Sequence, residues 1–170
     1  MLTDPKGNKI YVTNFPDKFI HKIASVPKNS KIKSVAWNTQ GTQIAIAVNN
    51  CILILQPYLM ENINKNIIEN TKIIHTLKRQ NNKNDEVLAL AWSTGELLAA
   101  SYRDGTISIW NTKTGNLITT FEPEELLEPK TLAWSSGERW LVAGSPKQQM
   151  IEIWEVTKFD HQKFGQSQIG

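Results

Sequence analysis

The feature that most limits how this chain can fold is a pattern that occurs three times within its 170 residues. Each copy has a first segment ending in Ala-Trp, a nearby Gly, a run of small and aliphatic residues, and a closing segment rich in Ile and Leu. From the Trp of the first segment to the end of the closing one, the copies span 18, 18 and 20 residues, over Trp37–Leu55, Trp92–Trp110 and Trp134–Trp154. Self-similarity of this kind predicts a stack of similar structural units.

Each copy is predicted to form short antiparallel β-strands. In the segments that end at Trp110 and Trp154, β-branched residues alternate around one polar position, as is typical of strands. The residues Arg103-Asp-Gly105 predict a hairpin turn because Asp-Gly tolerates positive φ, and Leu117–Phe121 predicts a fourth strand. The segment Val87–Trp92 is apolar on both faces, so its sheet is expected to need a neighbour on each side.

The second copy, Val87 to Phe121, resembles a WD40 repeat. It has Ala-Trp at the end of the inner strand, Asp104-Gly-Thr-Ile in the turn, and Ile-Trp-Asn111 where the family has Trp-Asp. The third copy, with Trp154-Glu155, and the first, with Leu55-Gln56, are similar to the family at fewer positions. The resemblance implies an all-β fold, namely an incomplete WD40-like β-propeller with about three four-stranded antiparallel blades and a partial N-terminal blade. The residues expected to have structural roles in these blades are Trp37, Trp92, Asp104, Trp110, Trp134 and Trp154.

The pattern divides the chain into five predicted segments. The last strands of a partial blade occupy 1–30, a WD-like blade with an inserted loop at about 58–71 occupies 31–84, and the best-matching blade occupies 85–126. A third WD-like blade without an outer strand occupies 127–157, and 158–170 is a polar tail. The spacing of Leu59, Ile63 and Ile67 also fits a short amphipathic helix, so the insert is interpreted either as a solvated loop or as a partner-docking segment.

Three units and a partial blade are too few to close a propeller, which has about 4–8 blades. We favour the interpretation that the chain is a fragment of a longer propeller. The alternatives are that a partner or a second copy supplies the missing blades, or that the units form an open stack with exposed apolar ends.

One departure from the family concerns polar contacts. WD40 repeats often have Gly-His before the inner strand, and that His joins the turn Asp, a Ser or Thr and the Trp in a buried hydrogen-bond network. No Gly-His precedes Trp37, Trp92 or Trp134. We therefore expect the blades to be held together more by packing of Ile, Leu, Val and Trp than by polar networks, with all six Trp side chains in the core.

Sequence patterns for catalysis or metal binding are not found. His21, His75 and His161 are not spaced as metal ligands, and the chain has no phosphate-binding, dinucleotide-binding or nucleophile-elbow motif. The single cysteine, Cys51, opens an apolar strand and is expected to be a small core residue rather than a nucleophile. The chain is therefore predicted to be non-enzymatic and to need no cofactor or metal.

The charge and hydropathy of the chain limit the classes of partner that we expect. A net charge of +3 is modest for a nucleic-acid-binding protein, so nucleic acid is an unexpected partner. The longest apolar run, Val87–Trp92, is far shorter than the roughly 20 residues of a membrane-spanning helix, so no membrane association is expected. The expected location is cytoplasmic, with the nucleus as the alternative.

A candidate binding surface follows from the resemblance. Lys31, Glu86 and Lys130 precede the predicted inner strands, and Arg103 and Lys147 lie at turns between second and third strands. In WD40-like propellers these positions border a face that often binds peptides. The five residues are interpreted either as a mostly basic binding rim or as ordinary solvated charges.

Three functions are compatible with these observations. The leading hypothesis is a non-catalytic scaffold that presents loops to other proteins or peptides. The second is a permanent structural subunit of a multiprotein assembly, of the trafficking or ubiquitin-ligase type. The third is an enzymatic or nucleic-acid-binding propeller whose active residues lie outside this chain.

Overall fold

The structure is a computed structural model that describes residues 2–3, 9–13, 20–26, 30–57, 71–80, 85–123, 128–156 and 161–168. Side chains are described at Val26 and in the ranges 30–57, 71–80, 85–123 and 128–156. All regular secondary structure in these residues is β-strand, which confirms the predicted all-β class. Within these ranges there is no helix long and apolar enough to span a membrane.

The strands form four antiparallel sheets, which we number in chain order. The first sheet contains β1 (Leu2–Thr3), β2 (Lys9–Thr13) and β3 (Ile20–Ser25). The second contains β4 (Ile32–Trp37), β5 (Ile44–Val48), β6 (Cys51–Pro57) and β7 (Thr71–Leu77). The third contains β8 (Val87–Trp92), β9 (Leu97–Tyr102), β10 (Ile107–Asn111) and β11 (Leu117–Phe121). The fourth contains β12 (Thr131–Trp134), β13 (Trp140–Ser145), β14 (Met150–Val156) and β15 (His161–Gln168).

In each four-stranded sheet the strands are paired in sequence order, as in a meander. The inner strands β4, β8 and β12 pack side by side, so the three sheets stand next to one another with their faces in contact. This is the stacked arrangement that the repeat predicts. The segment boundaries given above remain predictions, and the insert at about 58–71 lies outside the described residues except for its last position.

The fourth sheet requires one correction to the sequence analysis. Residues 158–170 were expected to form a polar tail, and the third copy was expected to lack an outer strand. The structure instead places β15 there, paired with β14 from Met150–Gln168 to Val156–His161. An outermost strand is held by backbone hydrogen bonds along one edge, so it does not need the apolar alternation by which strands were recognised.

Successive side chains of a strand point to opposite sides of its sheet, so every sheet has two faces. We call the face toward the following sheet the forward face and the opposite one the backward face. On each forward face, small residues of the second strand lie opposite two isoleucines of the third strand. These isoleucine pairs are Ile52 and Ile54, Ile107 and Ile109, and Ile151 and Ile153.

The core lies between the sheets. The cluster between the second and third sheets joins Ile52 and Ile54 to Leu98, Tyr102 and Trp110. The cluster between the third and fourth sheets joins Ile107 and Ile109 to side chains that include Leu141 and Trp154. Here the rings of Phe121 and Trp154 stack with centroids 5.7 Å apart. Because both faces of the third sheet are apolar, that sheet depends on the second and fourth sheets for its stability.

Polar contacts also cross these junctions. Leu90 donates its backbone N–H to Ser34 Oγ at 3.1 Å, which links β8 to the second sheet. Ser101 Oγ–H, on the third sheet, donates to the backbone oxygen of Pro129 at 2.6 Å, just before β12. These two hydrogen bonds hold each sheet in a defined position relative to the sheet before it.

In every sheet the pairing between the outer strand and its neighbour is irregular at a similar place. A register shift occurs next to Tyr11, Leu55, Trp110 and Trp154 in the four sheets, respectively. Such a β-bulge bends the outer strand and increases its twist. The four sheets therefore share this local geometry even where their sequences differ.

Candidate functional site

The five predicted rim residues lie at the same end of the sheets. In an antiparallel meander the start of the inner strand is next to the end of the second strand, as the pairing of Val87 with Tyr102 shows. The backbone N–H of Arg103 donates to Glu86 O at 3.0 Å, and that of Lys130 donates to Gly144 O at 3.0 Å. We call this end of the sheets the basic end, and define it by Lys31, Lys33, Glu86, Arg103, Lys130 and Lys147.

Two of the predicted residues are in direct contact. Arg103 Nη2 forms an ion pair with Glu86 Oε2, and Lys33 Nζ lies 2.7 Å from Glu86 Oε1. The hydrogen bond from Lys33, with the nearby positive charges of Lys33, Arg103 and Lys31, lowers the pKa of Glu86 below its usual value. Glu86 is therefore ionised at neutral pH and is shared by cations of two sheets.

Lys33 was missed by the sequence analysis, which considered only residues at strand starts and turns. It lies on β4 of the second sheet and reaches Glu86 in the linker that precedes β8. The available signal was its position two residues after Lys31, which places a second cation near the start of β4.

The other rim residues are exposed but separate. Lys31 donates its backbone N–H to Asn49 Oδ1 at 3.0 Å, so its backbone is fixed while its side chain is exposed. The side chains of Lys130 and Lys147 are exposed on the fourth sheet. The structure therefore gives one charge cluster centred on Glu86 and further cations on the neighbouring sheet.

A second charge cluster lies beside the first and is largely buried. Arg79, in the linker after β7, forms an ion pair with Asp85, hydrogen-bonds Thr106 Oγ1, and lies 2.9 Å from Asp104 Oδ2. Its guanidinium carbon lies 3.7 Å from the centroid of the Tyr102 ring, which is a cation–π contact. The side chains of Arg79 and Asp85 are only 9% and 1% exposed.

The charges in this cluster stabilise one another. Burial alone would lower the pKa of Arg79, but hydrogen bonds and charges from Asp85 and Asp104 outweigh burial and raise it. Burial would raise the pKa of Asp104, but hydrogen bonds from Thr106 and Arg79 outweigh burial and lower it. Burial raises the pKa of Tyr102 to about 12.

This cluster adds a polar network to the apolar packing that was expected to hold the blades together. Arg79 lies in the linker between β7 and β8 and reaches Asp104 in the turn of the third sheet. A guanidinium has five N–H donors and can bind several acceptors at once. The network was missed because Arg79 is 25 residues from Asp104 and belongs to no motif.

The tryptophans differ in burial. Trp110 and Trp154 are each 3% exposed and belong to the inter-sheet core, as expected. Trp92 and Trp134 are partly buried and pack backward onto the preceding sheet. Trp37 is 38% exposed, which corrects the expectation that all six lie in the core. Trp92 and Trp134 lie on inner strands that pack against the inner strand of the preceding sheet, whereas the described first sheet has only three strands.

The residues considered for chemistry have structural contacts. His75 Nε2 lies 3.1 Å from Lys113 O. The Sγ of Cys51 donates to Val48 O at 3.3 Å, and burial raises the pKa of this thiol, which keeps it protonated. No group of three or more His, Cys, Asp or Glu side chains that could hold a metal ion is found within the described residues.

Comparisons with known proteins agree with this architecture. Residues 68–137 match the family described as the anaphase-promoting complex subunit 4 WD40 domain. No curated protein sequence matches the chain significantly. A chain in the crystal structure of the mitotic checkpoint complex is similar to this one, with a TM-score of 0.75 and 18% identity, over 95% of this chain and 44% of that one.

Two further solved structures are similar. The structure of U3-55K has a TM-score of 0.63 and 18% identity over 82% of this chain and 40% of that one. The RRP9 WD40 repeats have a TM-score of 0.62 and 16% identity over 95% of this chain and 42% of that one. This chain thus spans less than half the length of each of these structures. The predicted fold, an incomplete WD40-like β-propeller, is confirmed.

Proposed function

Because this chain has the fold of the WD40-repeat β-propellers, we propose that it is a non-catalytic protein-interaction scaffold whose basic end binds acidic segments of partner proteins. Proteins of this fold in the solved structures described above include a chain of the mitotic checkpoint complex. That relationship supports a role in binding proteins in general. The charges of the basic end favour an acidic partner.

The observation that carries the proposal is the excess of cations at the basic end. Lys31, Arg103, Lys130 and Lys147 are exposed, and Lys33 shares Glu86 with Arg103. These cations come from three adjacent sheets, so an extended acidic segment could contact several of them at once. Electrostatic complementarity of this kind favours the association rate and the choice of partner.

Three carboxylates at this end are already paired within the chain. Asp85 and Asp104 are paired with Arg79, and Glu86 is paired with two cations. Lys31, Lys130 and Lys147 remain exposed to an incoming ligand.

The test uses a fluorescein-labelled peptide of alternating Glu and Ser, with binding followed by fluorescence anisotropy. The double variant Arg103→Glu with Lys130→Glu is expected to weaken binding at least about tenfold, because two attractive contacts become repulsive. The matched control is Lys72→Glu with Lys113→Glu, which changes two exposed lysines at the opposite end of the sheets and should leave binding unchanged. Equal loss in both double variants would contradict the proposal.

Salt and competitor experiments separate this function from the alternatives. Binding at the exposed basic end should weaken as ionic strength rises, since the Debye length falls to about 8 Å at physiological salt. If a single-stranded oligonucleotide shifted in a gel at low salt and displaced the peptide, the nucleic-acid alternative would be favoured instead.

A second candidate is a permanent structural subunit of a multiprotein complex. It is supported by the match of residues 68–137 to a WD40 domain of the anaphase-promoting complex. This function predicts low yield of the isolated chain and recovery on co-expression with its partner. High yield of stable, folded chain alone would argue against it.

A further inference from the structure

The forward face of the fourth sheet is open, although it has the same pattern as two forward faces that are buried. Ile107 and Ile109, on the forward face of the third sheet, are 0% and 1% exposed beneath the fourth sheet. Ile153, at the position in the fourth sheet equivalent to Ile109, is 36% exposed. The difference follows from the missing neighbour and not from the sequence of the face.

This open face forms two adjacent apolar concavities with volumes of about 500 and 430 Å³. The larger is lined by Ala133, Trp134, Ser135, Trp140, Val142 and Ile153. None of these side chains is charged, so the concavity does not suit the acidic segment proposed for the basic end. Its shape and chemistry suit the apolar face of another sheet, as at the two buried junctions.

We propose that the open face of the fourth sheet binds a second copy of this chain, so that two copies close one ring. In this arrangement the fourth sheet of each copy packs against the first sheet of the other. The inference goes beyond the proposed function and does not depend on it, because it uses a different surface.

The two ends of the stack support this occupant. The fourth sheet ends the stack on the forward side. At the other end Val26, directly after β3, is 5% exposed and packs against Ile44 and Ile46 on the backward face of the second sheet. This contact places the end of the first sheet on that backward side. A head-to-tail contact joins the forward end of one copy to the backward end of the other. Two such contacts close a ring when the copies are related by a rotation of about 180°.

The size of the chain also favours a pair. The described residues of one copy form four sheets, and those of two copies form eight, which is within the range of about 4–8 blades found in propellers. One copy spans 44% and 42% of the chains in two similar WD40 structures. Two copies would therefore approach the length of one such chain.

The test is the mass of the purified chain by size-exclusion chromatography with multi-angle light scattering. The expected mass is twice 19.3 kDa and is independent of concentration once the pair has formed. The variant Ile153→Glu places a charge on the open face and is expected to give the mass of one chain. The matched control Ile73→Glu changes a 56% exposed isoleucine on β7 and should leave the pair intact.

Folding and arrangement are checked separately. Far-ultraviolet circular dichroism must show that Ile153→Glu keeps its β-structure, and Val142→Asp provides a second variant of the same face if it does not. A wild-type mass of one chain, or a pair that survives both face variants, would overturn the proposal. A mass that continues to rise with concentration would also overturn it, in favour of open end-to-end stacking.

Failure of this inference can be distinguished from failure of the proposed function. Ile153→Glu leaves all six residues of the basic end unchanged, so peptide binding by that variant tests the basic end by itself. Conversely, Arg103→Glu with Lys130→Glu should leave the mass of the pair unchanged.

Discussion

Trp134 donates its indole Nε1–H to the backbone oxygen of Ala91 at 3.0 Å, which joins the inner strand of the fourth sheet to that of the third. The same side chain packs against the core between these sheets. The Trp at the end of an inner strand therefore contributes both an apolar contact and a directed hydrogen bond to the preceding sheet.

Replacing Trp134 with Phe removes the donor and keeps most of the apolar surface. We expect the free energy of unfolding to fall by about 1 kcal/mol or somewhat more, since a hydrogen bond contributes about 0.5–1.5 kcal/mol net. Urea unfolding followed by circular dichroism measures this change. Trp37→Phe, at the equivalent but 38% exposed position, is the control and should have a smaller effect. Equal effects would show that the bond to Ala91 adds nothing.

Among charged residues, Arg79 is predicted to be the one on which the stability of the third sheet depends most. Arg79→Met leaves Asp85 charged and buried, and breaking a buried pair in this way costs about 3–5 kcal/mol. Arg103→Met is the matched control, because the Arg103 side chain is 53% exposed and its pair with Glu86 should contribute less than about 1 kcal/mol. Both values come from chemical unfolding curves.

A double variant tests the physical reason. If the loss in Arg79→Met arises from the unpaired carboxylate, adding Asp85→Leu should restore part of the stability. A double variant less stable than Arg79→Met would assign the loss to the contact between the Arg79 guanidinium and the Tyr102 ring instead.

Tyr102 gives a pH dependence at the alkaline end. Burial raises its pKa to about 12, whereas the unfolded chain titrates near its ordinary value of about 10. The folded state then holds the proton more tightly, so this contribution to stability is complete below pH of about 10 and is lost as the pH rises toward 12. Tyr102→Phe should flatten the fall in melting temperature over that interval. A parallel fall in both proteins would contradict the assignment.

Substitution of Gly115 is predicted to destabilise the fold for two reasons, backbone strain and a steric clash, and a control at Gly137 separates them. Its φ is +76°, and a Cβ there would lie 2.7 Å from His75 Nδ1. Gly137 has φ of +82° with open space around the Cβ position, so Gly137→Ala measures the backbone cost of about 1 kcal/mol alone. Gly115→Ala should be more destabilising, because His75 must also move away from Lys113 O. If both variants lowered the melting temperature equally, the movement of His75 would have no measurable effect on stability.

Periodicity was sufficient to predict the architecture. The strands β8 at Val87–Trp92 and β11 at Leu117–Phe121 have the bounds that the sequence predicts. The first is marked by its continuous apolar residues and the second by the turn residues before it, and both signals lie within a few residues of the strand. The outer strand β15 was not predicted, since its pairing with β14 depends on backbone groups that every residue has.

The candidate site could be predicted only in outline. The starts of inner strands and the turns between second and third strands share one end of a meander, so the common location of Lys31, Glu86 and Arg103 follows from the sequence. Their role in binding stays a prediction. The specific pairing of Glu86 with Lys33 could not be predicted, because it depends on the packing of one sheet against the next. The same reason applies to Arg79, whose partners are distant in sequence.

The irregularity shared by the outer strands of all four sheets has a consequence for behaviour at high concentration. A flat outer strand would present an even row of N–H and C=O groups to which strands of other molecules could add. The bulges next to Tyr11, Leu55, Trp110 and Trp154 kink that row in each sheet. Lateral growth into amyloid-like ribbons is therefore opposed by the backbone itself, independently of which side chains the outer strands carry.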